Sequence, residues 1–170
     1  HRLQDDKQNS IAYTDDCLGK FIAKLKETRI WNNLLIICIP DHSMKYKEVD
    51  VHNPIFFHTP MLWLGGAVKK PLVVDKLVNQ SDLVATLLGQ LGLPHQQYPF
   101  SRDVFSSSYK NPFVFSCFSN GFLFKDSTGI TMYDNDANRV LINKPISNGE
   151  DRLEKGKATL QTLYDDLGKR

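Results

Sequence analysis

Runs of apolar residues divide the chain into short strands and amphipathic helices. The run Leu34–Ile39 is unbroken, rich in β-branched residues and too short to cross a bilayer, so it predicts a strand buried on both faces. A second run, Met61–Leu64, stops at a Gly-Gly pair and predicts another buried strand. Such strands usually lie in parallel sheets covered by helices, and these sheets bind ligands beyond the carboxyl ends of their strands.

Helical periodicity precedes the first strand and follows the second. Apolar residues at helical spacing predict a helix over about residues 10–28, with Asn9 or Ser10 as its N-cap. Another helix is predicted to open at Ser81 as N-cap and to end at Gly92, with Pro94 two residues further on as a second stop signal. The helix-then-strand order is typical of α/β proteins.

Beyond residue 100 the pattern changes to short β-like runs separated by turn residues. The runs begin at Phe113, Gly121, Gly129 and Arg139, and together they predict an antiparallel meander. Residues 150–167 then show the spacing of a terminal helix.

A group of acidic and amide residues in the meander, at 134–136, superficially resembles a calcium loop. It lacks the glycine and the distant glutamate of an EF-hand, so we expect a turn. We predict one domain in two parts, with residues 1–100 in the α/β core and residues 101–170 forming the meander and terminal helix.

Composition narrows the functional classes. The chain has 170 residues, 41% of them hydrophobic, and a net charge of +2, which is too mild to indicate nucleic-acid binding. Three cysteines without CxxC spacing make a thiolate metal site improbable. The chain starts without Met and has no apolar run of ~20 residues, so we expect a piece of a longer polypeptide.

The candidate chemistry lies directly after the first predicted strand. Asp41 and His42 follow Pro40 there, and a carboxylate beside an imidazole suits a divalent metal that polarises a phosphoryl or sulfuryl oxygen. An aspartate at this place can equally be the cap of a turn. His58 precedes the second strand, where it fits a structural role as well as a functional one.

Five separated motifs, taken in order, carry a resemblance to a known family. They are Tyr13-Thr-Asp-Asp-Cys-Leu-Gly-Lys-Phe21, Pro40-Asp41-His42, His58-Thr-Pro-Met-Leu62, Gln80-Ser-Asp-Leu-Val-Ala-Thr-Leu-Leu88 and Gly92-Leu93. The set resembles the C-terminal half of the sulfatase and alkaline phosphatase superfamily over roughly residues 8–145. Within it, the chain is most similar to the lipoteichoic acid synthase-like membrane enzymes of bacteria.

This resemblance implies a fold and roles for individual residues. The fold is the corresponding portion of a three-layer α/β sandwich of the alkaline phosphatase type, with the meander and C-terminal helix attached. Asp41 and His42 match the ligands of the catalytic metal, with Zn²⁺ or Mn²⁺ the expected ion. His58 matches a substrate-side histidine, and His52 loosely matches a further histidine near the substrate phosphate or a second metal. The family pattern has glycine where this chain has Ser43.

The resemblance also implies a function for a longer parent protein. The family's nucleophile and first acidic ligand come from an N-terminal half, so the remainder of the same polypeptide is the expected partner. We predict a metal-dependent phospho- or sulfo-ester hydrolase or transferase, with transfer of phospholipid head groups preferred. The parent would be anchored in a bacterial cell membrane with its catalytic domain outside. Sulfate ester hydrolysis and a non-catalytic module that keeps the fold are the alternatives.

Overall fold

The computed structural model describes residues 6–43 and 52–170. The helices are α1 (Asp6–Lys26), α2 (Asp82–Gln90) and α3 (Gly149–Leu167), and short 3-10 turns cover Trp31–Asn33 and Pro54–Phe57. The strands are β1 (Ile36–Cys38), β2 (Leu62–Leu64), β3 (Val114–Phe118), β4 (Gly121–Asp126), β5 (Gly129–Asp134) and β6 (Arg139–Lys144). Within the described ranges, no helix is both long and apolar enough to span a membrane.

The described residues form two compact units. The first unit comprises residues 6–43 and 58–73, and the second comprises residues 52–57 and 74–170. The first therefore holds α1, β1 and β2, whereas the second holds the remaining helices and strands.

The two strands of the first unit pair with each other in antiparallel fashion. Ile36 lies opposite Leu64 and Cys38 lies opposite Leu62. The predicted parallel arrangement of these strands is wrong. An apolar run indicates that a strand is buried, but it carries no information about the direction of the neighbouring strand.

Burial in the first unit is also lower than the sequence predicts. All three residues of β1 are only half-buried, and none of the 21 residues of α1 is buried. The prediction of a strand buried on both faces is therefore wrong for the described part of the chain. The sheet there consists of two strands, and two strands alone do not bury both faces of either strand.

Two glycines fix the end of β2 against the chain that precedes β1. Gly65 has a φ of +118°, and a Cβ on it would clash with the carbonyl oxygen of Leu34. A Cβ on Gly66 would clash with the carbonyl oxygen of Trp31. Only glycine permits this close approach of backbone to backbone.

The second unit is organised around the antiparallel meander β3-β4-β5-β6, which confirms the prediction for this region. Phe122, Phe124 and Tyr133 form its core cluster, and Leu153 and Leu160 of α3 pack against it. Because these leucines lie seven residues apart, they share one face of the helix. The terminal helix therefore covers one face of the meander.

A buried arginine connects α3 to the meander. Arg152 is fully buried, and its guanidinium donates hydrogen bonds to Thr131 Oγ1 at 3.0 Å, to Thr128 O at 3.0 Å and to Asn143 Oδ1 at 2.6 Å. The buried charge is thus surrounded by oxygen acceptors, as its desolvation requires.

The ends of the helices agree with the sequence only in part. Ser81 is the N-cap residue of α2, as predicted, although its side chain makes no capping hydrogen bond. The predicted N-cap of α1 is wrong, because α1 begins at Asp6 and both Asn9 and Ser10 lie inside it. The predicted end of α2 is confirmed. Gly92 has a φ of +67° there, and Leu93 N–H donates to the carbonyl oxygen of Leu88 at 2.9 Å.

The acidic segment after β5 forms a turn, as predicted. Asp134 Oδ1 accepts a hydrogen bond from Ala137 N–H at 2.9 Å, and its Oδ2 accepts one from Asn120 Nδ2 at 2.9 Å. Both carboxylate oxygens are thus engaged in holding the turn.

Candidate functional site

Asp41 and His42 lie just beyond the carboxyl end of β1, where the sequence predicts them. Both side chains are well exposed, at 86% and 77% respectively. His42 Nε2 is 3.4 Å from Asp41 Oδ2, so the imidazole and the carboxylate face each other. The structure therefore brings these two predicted ligands together on an accessible surface.

Local hydrogen bonds orient both groups. Asp41 Oδ1 accepts a hydrogen bond from the backbone N–H of His42 at 2.9 Å, which holds the carboxylate and leaves Oδ2 on the side of the imidazole. His42 Nδ1 lies 2.8 Å from the carbonyl oxygen of Ser43. A carbonyl can only accept, so this contact places a proton on Nδ1, and in the neutral form of the ring the lone pair is then on Nε2.

This arrangement fits a metal-binding pair. A histidine that ligates a metal usually donates its other ring N–H to a carbonyl or carboxylate, which fixes the tautomer. Asp41 Oδ2 and His42 Nε2 are then one oxygen and one nitrogen donor at a single place. Among residues 6–43 and 52–170, no third His, Cys, Asp or Glu joins them in a cluster that could hold a metal ion.

His58 belongs to the same unit and to the same end of the strand pair. The register joins Cys38 to Leu62, so the chain after β1 and the chain before β2 meet at one end of the sheet. His58 is exposed and precedes β2 by four positions. Its predicted role at the substrate side stays a prediction.

His52 lies in the second unit, where it is half-buried. Its ring makes an edge contact with Phe118, with the ring centroids 5.5 Å apart. The sequence does not predict this aromatic contact, and the predicted catalytic role of His52 remains a prediction. Residues 44–51, which precede His52, lie outside the described part of the chain.

A buried polar cluster in the second unit was missed by the sequence analysis. Asp82 is fully buried and lies 3.2 Å from Arg102 Nη2, and Tyr109 donates to Asp82 Oδ2 at 3.1 Å. Burial and the negative charge of Asp82 raise the pKa of Tyr109 to about 12. The guanidinium of Arg102 also stacks on the rings of Tyr109 and Phe113, at 4.8 and 4.3 Å from their centroids.

A sequence signal for this cluster did exist. The buried residues of α2 are Asp82, Ala85 and Thr86, which have the i, i+3, i+4 spacing of one helix face. The leucines of α2 form a second, more obvious stripe, although Leu91 at its end is 59% exposed. Asp82 is fully buried while Arg102 and Tyr109 are half-buried, and the cluster packs α2 against the loop that contains Arg102.

Comparison with known proteins identifies relatives of this chain. Residues 2–93 match the family described as Sulfatase. The human protein Arylsulfatase K is 26% identical over 115 residues, which cover 58% of this chain and 21% of that protein.

A solved structure shares the fold. It is described as a protein in the alkaline phosphatase superfamily from Vibrio parahaemolyticus, and it superposes with a TM-score of 0.67 at 19% identity. The similarity covers 96% of this chain and 45% of that one, which confirms the predicted α/β fold with its antiparallel meander and C-terminal helix. The chain therefore spans less than half the length of these two proteins.

The matched segment contains α1, β1, β2 and α2 as well as the Asp41–His42 pair. It covers more than half of the 170 residues. This chain belongs to the sulfatase family.

Proposed function

We propose that the chain is the C-terminal part of a metal-dependent enzyme that hydrolyses sulfate esters. The observation that carries this proposal is the oriented Asp41–His42 pair, exposed beyond β1 in a chain of the sulfatase family. The similarity to Arylsulfatase K favours a sulfate ester over a phosphate ester and suggests an aryl sulfate as a first substrate to test.

Asp41 Oδ2 and His42 Nε2 are the atoms that would hold a divalent ion, with Zn²⁺ or Mn²⁺ compatible with this donor pair. When bound, such an ion acts as a Lewis acid toward the ester oxygen. The Ser43 carbonyl keeps the imidazole in the tautomer that offers Nε2, and the backbone N–H of His42 keeps the carboxylate in place. His58, which belongs to the same unit as this pair, would donate an N–H to the sulfuryl oxygens.

We further propose that the partner of this chain is the remainder of the same polypeptide, which supplies the nucleophile and the other metal ligands. The surface of the first unit supports this. Ile11 and Phe21 on α1 are 54% and 53% exposed, and the sheet has two half-covered strands. An isolated pair of strands is marginal in water, so a covering layer is needed for stability.

Transfer of phospholipid head groups by a bacterial membrane-anchored parent is the second candidate. The order of the five sequence motifs favours it, and the structural neighbour belongs to the alkaline phosphatase superfamily. The two candidates share the metal pair and differ in the atom at the centre of the ester. Turnover of an aryl sulfate would support the sulfate ester hydrolase, and turnover of a phosphatidylglycerol donor would support the head-group transferase.

The test uses the full-length polypeptide with Asp41→Ala, His42→Ala and, as matched control, Asp15→Ala on the exposed surface of α1. We expect the first two variants to lose metal affinity at least roughly a hundredfold, since even groups that only support ligands contribute about that much. Metal content by mass spectrometry and turnover of 4-nitrophenyl sulfate should fall together, and Asp15→Ala should leave both unchanged. Full metal content in Asp41→Ala would refute the central assignment.

A further inference from the structure

A cleft opens in the second unit between the turn after β5 and the terminal helix α3. Its volume is about 550 Å³, which lies within the range of small-molecule sites. The polar and aromatic side chains around it are Tyr133, Asn135, Asn138, Lys157, Gln161 and Tyr164. None of these residues takes part in the proposed metal site or in the buried Asp82 cluster.

The charge of the cleft decides which ligands suit it. Lys157 is the only cation among the lining residues, and its Nζ is 3.6 Å from Glu154 and 5.1 Å from the centroid of the Tyr133 ring. The carboxylate of Glu154 beside it offsets this single positive charge, so the cleft has no cluster of cations that would favour an anion. Leu160 is the only aliphatic lining residue, so the cleft does not suit an acyl chain either.

The amide side chains are placed to bind hydroxyl groups. Asn138 Oδ1 accepts a hydrogen bond from the Tyr133 hydroxyl, which leaves its Nδ2 to donate to a ligand. Gln161 Nε2 donates to Asp165 Oδ1 at 2.7 Å, which leaves its Oε1 to accept. Each amide uses one end to hold its own position, so a donor and an acceptor are pre-oriented at the cleft.

An exposed aromatic ring completes the arrangement. Tyr164 is 63% exposed although it lines the cleft, and it lies on the same face of α3 as Leu160 and Gln161. A flat apolar ring beside polar amides matches a molecule with one C–H face and a rim of hydroxyls. Hexopyranose rings have this shape.

We propose that this cleft binds a neutral hexopyranose unit, with Tyr164 stacked on the C–H face of the sugar and the amides of Asn138 and Gln161 on its hydroxyls. The proposal does not rest on the catalytic function, because no residue of the metal pair contributes to the cleft. A protein that failed as a sulfatase would still bind the sugar here.

The test is titration of the full-length polypeptide with cellobiose, lactose and N,N′-diacetylchitobiose, followed by amide chemical shifts. At least one disaccharide should bind with a Kd on the order of 1 mM, and the shifts should be confined to residues around the cleft. Tyr164→Ala should weaken binding roughly tenfold. Tyr98→Ala, which removes another partly exposed tyrosine of the same unit outside the cleft, should not change the affinity.

A second substitution separates binding from loss of structure. Gln161→Glu keeps the acceptor and the shape of the side chain, but it removes the hydrogen bond to Asp165 and places two carboxylates together. It should weaken binding while the amide spectrum of the meander stays unchanged. Absence of shifts with all three disaccharides, or equal affinities of wild type and Tyr164→Ala, would overturn the proposal.

Discussion

The second unit has a core of its own, whereas the first unit does not. Within the described ranges, every buried hydrophobic residue belongs to the second unit, and the largest of them lie on β4 and β5. The predicted metal ligands Asp41 and His42 both belong to the first. The segment that carries the proposed chemistry is therefore the less buried of the two units, and three experiments test this contrast.

The largest effect is expected from Phe122→Ala. Phe122 is fully buried in the core of the second unit, where it contacts the rings of Phe115 and Tyr133. Removal of a buried phenyl group costs about 3–5 kcal/mol, because both the transferred surface and the cavity contribute. Hydrogen exchange by mass spectrometry should show faster exchange throughout β3 to β6.

The control for this substitution is Ile146→Ala, since Ile146 is 83% exposed in the same unit. It should leave exchange of the meander unchanged. Equal exchange in Phe122→Ala and wild type would show that the second unit is not held by this core.

A Gly→Ala pair should give opposite signs in the two units. At Gly156 on α3, a Cβ would clash with the buried ring of Phe122, and overpacking of this kind costs about 1–3 kcal/mol. At Gly19 on α1, a Cβ would meet nothing within 4 Å. Helix propensity then favours alanine by roughly 0.8–1.0 kcal/mol.

Urea unfolding followed by circular dichroism, together with hydrogen exchange of each helix, measures both effects. Each glycine serves as the control for the other, since the chemical change is identical. A destabilising Gly19→Ala would mean that α1 is packed more closely than its exposed residues indicate.

The smallest effect concerns the alkaline side of the stability curve. The raised pKa of Tyr109, about 12 against an ordinary value of 10.0, means that the folded state favours the neutral phenol. The stability that the folded state gains from the neutral phenol is complete below pH 10 and is lost as the pH rises toward 12. Wild type should therefore lose more stability over this interval than Tyr109→Phe, which has no phenol to ionise.

Tyr98→Phe is the matched control and should follow the wild-type alkaline curve, because Tyr98 is 43% exposed. The free energy of unfolding in urea at both ends of the interval gives the comparison. Parallel curves for wild type and Tyr109→Phe would contradict the buried environment assigned to Tyr109.

The sequence predicted the existence and order of most elements because their signals are local. The end of α2 at Gly92 and the turn before Gly129 follow from residues that adopt positive φ, and both glycines do so here. The pairing of Asp41 with His42 was predictable for the same reason, since neighbours in the chain after a strand remain close. The family resemblance added roles, which sequence spacing alone does not give.

What the sequence did not predict depends on contacts between distant residues. The direction of β2 relative to β1, the burial of Arg152 and the pairing of Asp82 with Arg102 all require a partner from another part of the chain. Any local sequence pattern predicts that a charged residue is exposed. Arg152 is buried instead, and it donates hydrogen bonds to acceptors on β5, β6 and the loops beside them. Such residues are recognised only when the fold is known.

The contact of Gly65 and Gly66 with the backbone near Leu34 and Trp31 has a consequence for variation within the family. It joins the chain before β1 to the chain after β2, at the end of the strand pair opposite the loop that connects them, so the contact does not depend on the length of that loop. Lengthening the loop between β1 and β2 adds little entropic penalty, about 0.6 kcal/mol for each doubling of the loop length. Insertions could therefore change the surface beside Asp41 and alter substrate preference. Alanine at either glycine would instead disrupt the contact between the chain before β1 and the chain after β2.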